Sequence, residues 1–143
     1  MISVHGRTGG ILRSFEGEGV FAKWTAWPAE PETVVGYLTG EVLTGWHVDH
    51  VVARQEAWCS GIRDPAFSND LANQRRANGS VNSGKGGRDP LEWWNTDGKT
   101  TPKTVTYPGW CDYLRLHVEI KVKWGGTMDL EEHEFIVGQL RGC

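Results

Sequence analysis

No stretch of this chain is apolar over the ~18 or more residues that a membrane-spanning helix needs, so no membrane partner is expected. Its opening, MISVHGRTGGILRSF, lacks a basic patch followed by an apolar run. No signal peptide is therefore visible, and the default location is cytoplasmic. The three cysteines, Cys59, Cys111 and Cys143, form no CxxC pair, which argues against a cysteine zinc site. Their odd number allows at most one disulfide within the chain. Internal repeats and low-complexity tracts are missing too. A formal net charge of −3 supplies no global pull toward nucleic acid.

What is present is a chain of 143 residues, 38% apolar and 23% charged, which is the composition of one folded domain spanning 1–143. Its charge is uneven. Between Arg54 and Arg88, six basic residues (Arg54, Arg63, Arg75, Arg76, Lys85, Arg88) face three acidic ones (Glu56, Asp64, Asp70), leaving +3 in that window and −6 elsewhere. A basic patch on an acidic body is compatible with a nuclease, and equally with chance.

Residues 1–44 read as a β-rich N-terminal part. Val20 to Trp27 has strand character until Pro28 and Pro31 stop it, and Thr33 to Leu43 reads as one or two short strands with a turn. His5 is expected to be solvated. Trp46 to Val52 alternates and reads as a strand that ends by delivering Asp49 and His50 side by side. Glu56 to Cys59 reads as a short helix stopped by Gly61, with Trp58 as packing. Leu71 to Ala77 reads as a second strand, turned by Asn78-Gly79. Asn82-Ser83-Gly84-Lys85-Gly86 is a polar turn before Asp89-Pro90, a helix start. After an irregular connector, one helix spans about Trp110 to Trp124 and ends at Gly125-Gly126; a second starts at Asp129. His117 and His133 are expected to be partly exposed or at the core edge.

A strand that delivers Asp-His beside a turn that delivers an amide oxygen and a lysine has the parts to hold a metal ion and a phosphate. Each part has an ordinary use as well: Asp-His at a strand end, Asn beside Gly and Ser in turns, Lys and Arg on a solvated face. Order and spacing carry more. Asp49-His50-Val51-Val52, Ala57-Trp58-Cys59-Ser60-Gly61, Asn69-Asp70-Leu71-Ala72-Asn73, Asn82-Ser83-Gly84-Lys85-Gly86 and Asp89-Pro90-Leu91-Glu92-Trp93 follow one another, with Asn73 and Asn82 nine residues apart. In this the chain resembles the HNH nucleases, and most closely the branch related to the GmrSD restriction nucleases. Cys111-Asp112-Tyr113 and the terminal Cys143 add to the likeness, which covers about residues 45 to 143.

The resemblance implies an α+β fold: a ββα-metal finger over 45–95 and a helix pair over 110–143. It also implies an HNH endonuclease that hydrolyses phosphodiester bonds in DNA, with RNA as the alternative substrate. His50 would be the general base. Asp49 and the Asn82 oxygen would hold one divalent cation, Mg²⁺ or Mn²⁺. Asn73 would hold the long loop and so aim His50, and His47 would support the metal ligands from behind. Arg75, Arg76, Lys85 and Arg88 would meet phosphates. Two departures stand out: Asn82 occupies a position where the family often has His, and the second strand reads Gln74-Arg75-Arg76 where it is usually apolar. The alternatives are a catalytically inactive nucleic-acid-binding module on the same fold and an unrelated Trp-rich ligand-binding domain. Cys111 opens one terminal helix and Cys143 ends the next, so an antiparallel pair brings them close. A disulfide that leaves Cys59 free is expected if the protein matures in an oxidising place, which keeps an extracellular setting open, whereas the missing signal peptide argues for a reduced cytosolic pair.

Overall fold

The computed structural model describes residues 20–143 and, as backbone only, the strand β1 (Ser3–His5); the side chain of His5 lies outside the described residues. The chain is α+β. Strand β2 (His47–His50) pairs antiparallel with β3 (Gln74–Ala77), placing Asp49 opposite Arg75 and His50 opposite Gln74. The loop between them holds helix α1 (Arg54–Cys59) and two 3₁₀ turns, Pro65–Asn69 and Leu71–Asn73. The second strand is thus shorter than the sequence implied, because Asp70 accepts from Ala72 N and folds the preceding residues into a turn.

Helix α2 (Gly79–Lys85) follows β3 directly. The sequence reads Asn82 to Gly86, which overlaps its second half, as a turn, since two glycines and a serine are poor helix formers. Tertiary burial of Val81 and Lys85, four residues apart on one face, overrides that preference. Helix α3 (Pro90–Trp94) opens on a full capping box: Asp89 accepts from Glu92 N, and the Glu92 carboxylate accepts from Asp89 N. Then come α4 (Trp110–Trp124), β4 (Thr127–Asp129, parallel to β1) and α5 (Leu130–Arg141). Gly125 takes the left-handed conformation that ends α4, and Asp129 caps α5 through Glu132 N.

Residues 20–44 are mostly irregular; their β structure is one bridge, Val35 to Val42. The strand expected over Val20 to Trp27 is not formed. Its backbone is held by side chains instead: Asn69 accepts from Thr25 N and Ala26 N and donates to Lys23 O. With no neighbouring strand among the described residues to complete a ladder, those amides are held by Asn69.

Two apolar clusters form the core. One gathers Leu38, Val51, Val81, Trp93, Tyr113, Leu114, Met128 and Ile136; the other Phe21, Val52, Ala57, Ile62, Phe67 and Ile120. Val51 and Val52 enter different clusters, so the chain just after His50 is pinned from both sides. Cys111 and Cys143 form a disulfide with Cα atoms 6.0 Å apart, joining the start of α4 to the end of the chain, and Cys59 is free and exposed. A bridge over a loop of this size contributes about 3–4 kcal/mol on the chain-entropy account.

Candidate active site

The alternation of β2 decides what reaches its surfaces. Asp49 and His50 point to opposite faces of the strand, yet both line an open cleft of about 320 Å³ with Trp24, Val48, Ala53, Arg54, Gln55, Asn82, Gly86 and Gly87. The walls come from β2, the start of α1, the end of α2 and the irregular N-terminal segment.

His50 is buried and its ring is fixed. Nε2 lies 2.9 Å from the Ser68 carbonyl. A carbonyl only accepts, so Nε2 carries the hydrogen and Nδ1 keeps a lone pair. Nδ1 receives no hydrogen bond from a described residue. Burial lowers the His50 pKa; the Ser68 contact opposes this, and the positive charge of Arg54 adds to it. The imidazole is therefore neutral near pH 7, the form a general base requires.

Asn73, fully buried, holds the loop that carries Ser68. Its amide donates to Val52 O at 2.9 Å and accepts from Val52 N at 2.8 Å, while its own carbonyl accepts from Val51 N at 2.9 Å. These bonds close the long loop at the point where β2 ends.

Asp49 is buried, and both its oxygens are engaged. Oδ2 accepts from the Tyr37 hydroxyl at 2.5 Å and Oδ1 from Lys85 Nζ at 3.1 Å. Burial, then the Asp49 charge, push the Tyr37 pKa well up, so the phenol keeps its proton and donates. A carboxylate has about four lone-pair sites, so some acceptor capacity remains toward the cleft. Asn82 Nδ2 meets His47 Nδ1 at 3.1 Å. With the amide as donor, Asn82 Oδ1 is left without a described hydrogen-bond donor. His47 is exposed and contacts Asn82, consistent with a supporting position.

This donor set fits one hard divalent cation: a carboxylate with spare lone pairs, an amide oxygen and an open side for water. The Lys85 ammonium on Asp49 is the competing charge.

The four basic residues expected at phosphates are placed otherwise. Lys85 is fully buried and spends itself on Asp49 Oδ1 and the His50 carbonyl, 3.1 and 3.0 Å away. A desolvated ammonium persists only with such partners, and it cannot reach a bound strand. Arg76 donates to Pro28 O and Ala29 O, holding the N-terminal segment against β3. Arg75 donates to Ala72 O and Gln74 O. Arg88 is exposed but bonds Gly84 O at the end of α2, and it is not among the residues that line the cleft. Among the described residues that line the cleft, Arg54 carries a positive charge. Replacing Arg75 and Arg76 together by Ala is accordingly expected to cost about 1–3 kcal/mol of stability and leave the salt dependence of DNA binding unchanged. Urea denaturation and a salt titration check both; a slope flattened by about two charges would return these residues to the phosphates.

Sequence reasoning missed Tyr37, Trp24 and Arg54 at this site. Tyr37 arrives because Gly109, at the start of α4, lies directly against its carbonyl; a Cβ on Gly109 would sit 1.9 Å from that oxygen. No local pattern announces such an approach.

Ligand-type atoms also converge inside the protein. Glu56, His117 and Glu132 offer atoms within 4.8 Å of one another, as do Glu56, Asp89 and Glu92. Lys121 already sits there, donating to Glu56, to both Glu132 oxygens at 2.9 Å and to Thr127 O at 3.0 Å. His117, expected at the core edge, is fully buried, with Nε2 3.6 Å from Glu132 and burial pushing its pKa well down.

No family model and no solved structure matches the chain. It is 28% identical over 104 residues to an uncharacterized secreted protein of Arthroderma benhamiae, a match covering 67% of this chain and 47% of that one. The chain thus spans about half the length of that curated relative.

Proposed function

We propose that the chain is a metal-dependent endonuclease of the HNH type that hydrolyses phosphodiester bonds. The observation that carries this reading is one cleft lined by a neutral, oriented His50 imidazole, the Asp49 carboxylate and the Asn82 amide. The supporting frame is a β2–β3 hairpin closed by Asn73 and followed at once by α2, the order of elements in a ββα-metal finger.

His50 Nδ1 takes the proton from the attacking water, and Nε2–H, bonded to Ser68 O, holds the ring in that role. Asp49 and Asn82 would hold Mg²⁺ or Mn²⁺, which supplies charge neutralisation at the phosphate and leaving oxygen. Arg54 contributes positive charge beside the scissile group. Tyr37 and Lys85 hold the Asp49 carboxylate in one orientation.

The alternative, an inactive nucleic-acid-binding module on the same frame, has one observation of its own: the Lys85–Asp49 ion pair, which competes with a metal for the carboxylate. The Cys111–Cys143 bond and the secreted relative favour an oxidising compartment over the cytoplasm. Incubation with supercoiled plasmid and with single-stranded circular DNA, each with Mg²⁺ or Mn²⁺ and with or without chelator, separates the two readings. Metal-dependent nicking or linearisation that chelator abolishes is expected; binding without cleavage under every metal condition would leave the inactive module. A further expectation concerns pH. The base works unprotonated and burial depresses its pKa, so kcat/KM rises with pH through a value below 6.5. A rise still incomplete at pH 8 would place the base elsewhere.

A further inference from the structure

Beside His50 stands a pair of indoles that the hydrolysis does not use. Trp24 lines the cleft, and its ring centroid is 4.2 Å from that of His50, at 61°. Trp27 stacks on Trp24 with centroids 4.1 Å apart and planes at 24°. Trp27 is 54% exposed, the most exposed large aromatic among the described residues.

The segment that carries these rings belongs to no strand or helix, yet it is tied down at many points. Asn69 binds the backbone at residues 23, 25 and 26. Trp24 Nε1 donates to Ala26 O at 2.9 Å, Ala22 N to Pro65 O at 2.9 Å, and Arg76 to Pro28 O and Ala29 O. An ordinary surface loop would let an exposed Trp rotate or fold down; this one holds two indoles stacked, starting at the catalytic imidazole. The exposed Trp27 indole, fixed in place, offers an aromatic face on which a ligand ring can stack. The platform is continuous with the cleft, and beside a phosphodiester the next group along the chain is a nucleoside.

We infer that the Trp24–Trp27 stack is a nucleobase subsite, and that the substrate is a single-stranded polynucleotide whose base next to the scissile phosphate stacks on Trp27. This rests on the nuclease reading of the cleft. A duplex keeps its bases stacked on one another and offers no free π-face without unstacking, whereas a single strand offers one at every residue. Stacking on indole is tolerant of base identity, so the subsite selects strandedness, not sequence.

Fluorescence anisotropy in EDTA, where no cleavage occurs, tests this with four labelled probes of one length: oligo(dT), oligo(rU), an abasic oligodeoxynucleotide and a DNA duplex. Trp27→Ala is expected to weaken binding of oligo(dT) and oligo(rU) by about 5- to 150-fold, and to leave the abasic strand and the duplex within about twofold. Trp27→Phe should recover most of the loss, since it keeps an aromatic face. Equal weakening of all four probes, or of none, would overturn the inference. Metal-dependent plasmid cleavage alongside unaltered oligo(dT) binding by Trp27→Ala would overturn the stacking subsite and leave the nuclease. Base-dependent binding with no cleavage under any condition would do the reverse, keeping the subsite on a protein that only binds.

Discussion

His50→Ala is expected to lower the single-turnover cleavage rate by about 10²–10⁴-fold while nucleic-acid binding and the fold are retained. The imidazole has one buried contact with Ser68 and one ring contact with Trp24, neither of which anchors the hairpin. The hairpin is held by the β2–β3 ladder, by the Asn73 bonds to Val51 and Val52, and by the burial of those two valines. Removing the ring therefore deletes the proton acceptor without opening the site. Added imidazole is expected to restore part of the rate, because the vacated volume opens into the cleft. Quenched-flow cleavage with oligonucleotide binding measured in parallel checks this; a variant that cuts at the wild-type rate removes His50 from the mechanism.

Lys121→Met is expected to cost about 3–5 kcal/mol of stability, measured by urea denaturation at pH 7.5. The ammonium is buried among Glu56, Glu132 and the Thr127 carbonyl, and so ties α1, α4, β4 and α5 at one point. Without it, two buried carboxylates face each other unpaired. Burial alone would lower its pKa, but the two carboxylates outweigh burial, raise it above the ordinary lysine value and hold the proton on. Glu56 is pushed up to about 7, by burial first, against an ordinary value of 4.5.

The sign of the pH effect follows. The folded state holds the Glu56 proton more tightly than the unfolded chain does, so stability from this group is whole below about 4.5 and is lost as pH rises through about 7. Loss of Lys121 drives the folded value higher still. The deficit of Lys121→Met relative to wild type should be largest above pH 7 and shrink toward pH 4.5. A deficit independent of pH would show that packing, not charge, is what the lysine supplies.

Much of the frame was legible because its signals are local. Asp89-Pro90 with Glu92 three residues after the cap writes its own helix start, and Asp129 and Gly125 bound the terminal helices for the same kind of reason. The hairpin strand was legible at Asp49-His50, where alternation stops at two buried valines. The lysines were not. Lys85 sits in a glycine-containing polar run, and only its place four residues after Val81 betrays an inward face. Lys121 and His117 likewise fall on the stripe of Tyr113, Leu114 and Ile120, a helical period that identifies them as core once polar residues are allowed there. Tyr37 reaches Asp49 and Trp24 reaches His50 by contacts across 12 and 26 residues of sequence, through turns and side-chain clamps that no window of sequence contains.

In the proposed mechanism one cleft unites a base with a metal site, each formed by different residues. Cleavage rate as a function of Mn²⁺ concentration, for wild type, His50→Ala and Asn82→Ala together, tests it most directly. Asn82→Ala loses one oxygen ligand, so its curve should shift to higher metal and regain much of the rate at saturation. His50→Ala should saturate at the wild-type metal concentration with a plateau lower by about 10²–10⁴-fold. If both variants follow the wild-type curve, or if wild-type cleavage does not depend on the metal at all, the assignment of His50 as base and Asp49 with Asn82 as metal ligands is contradicted.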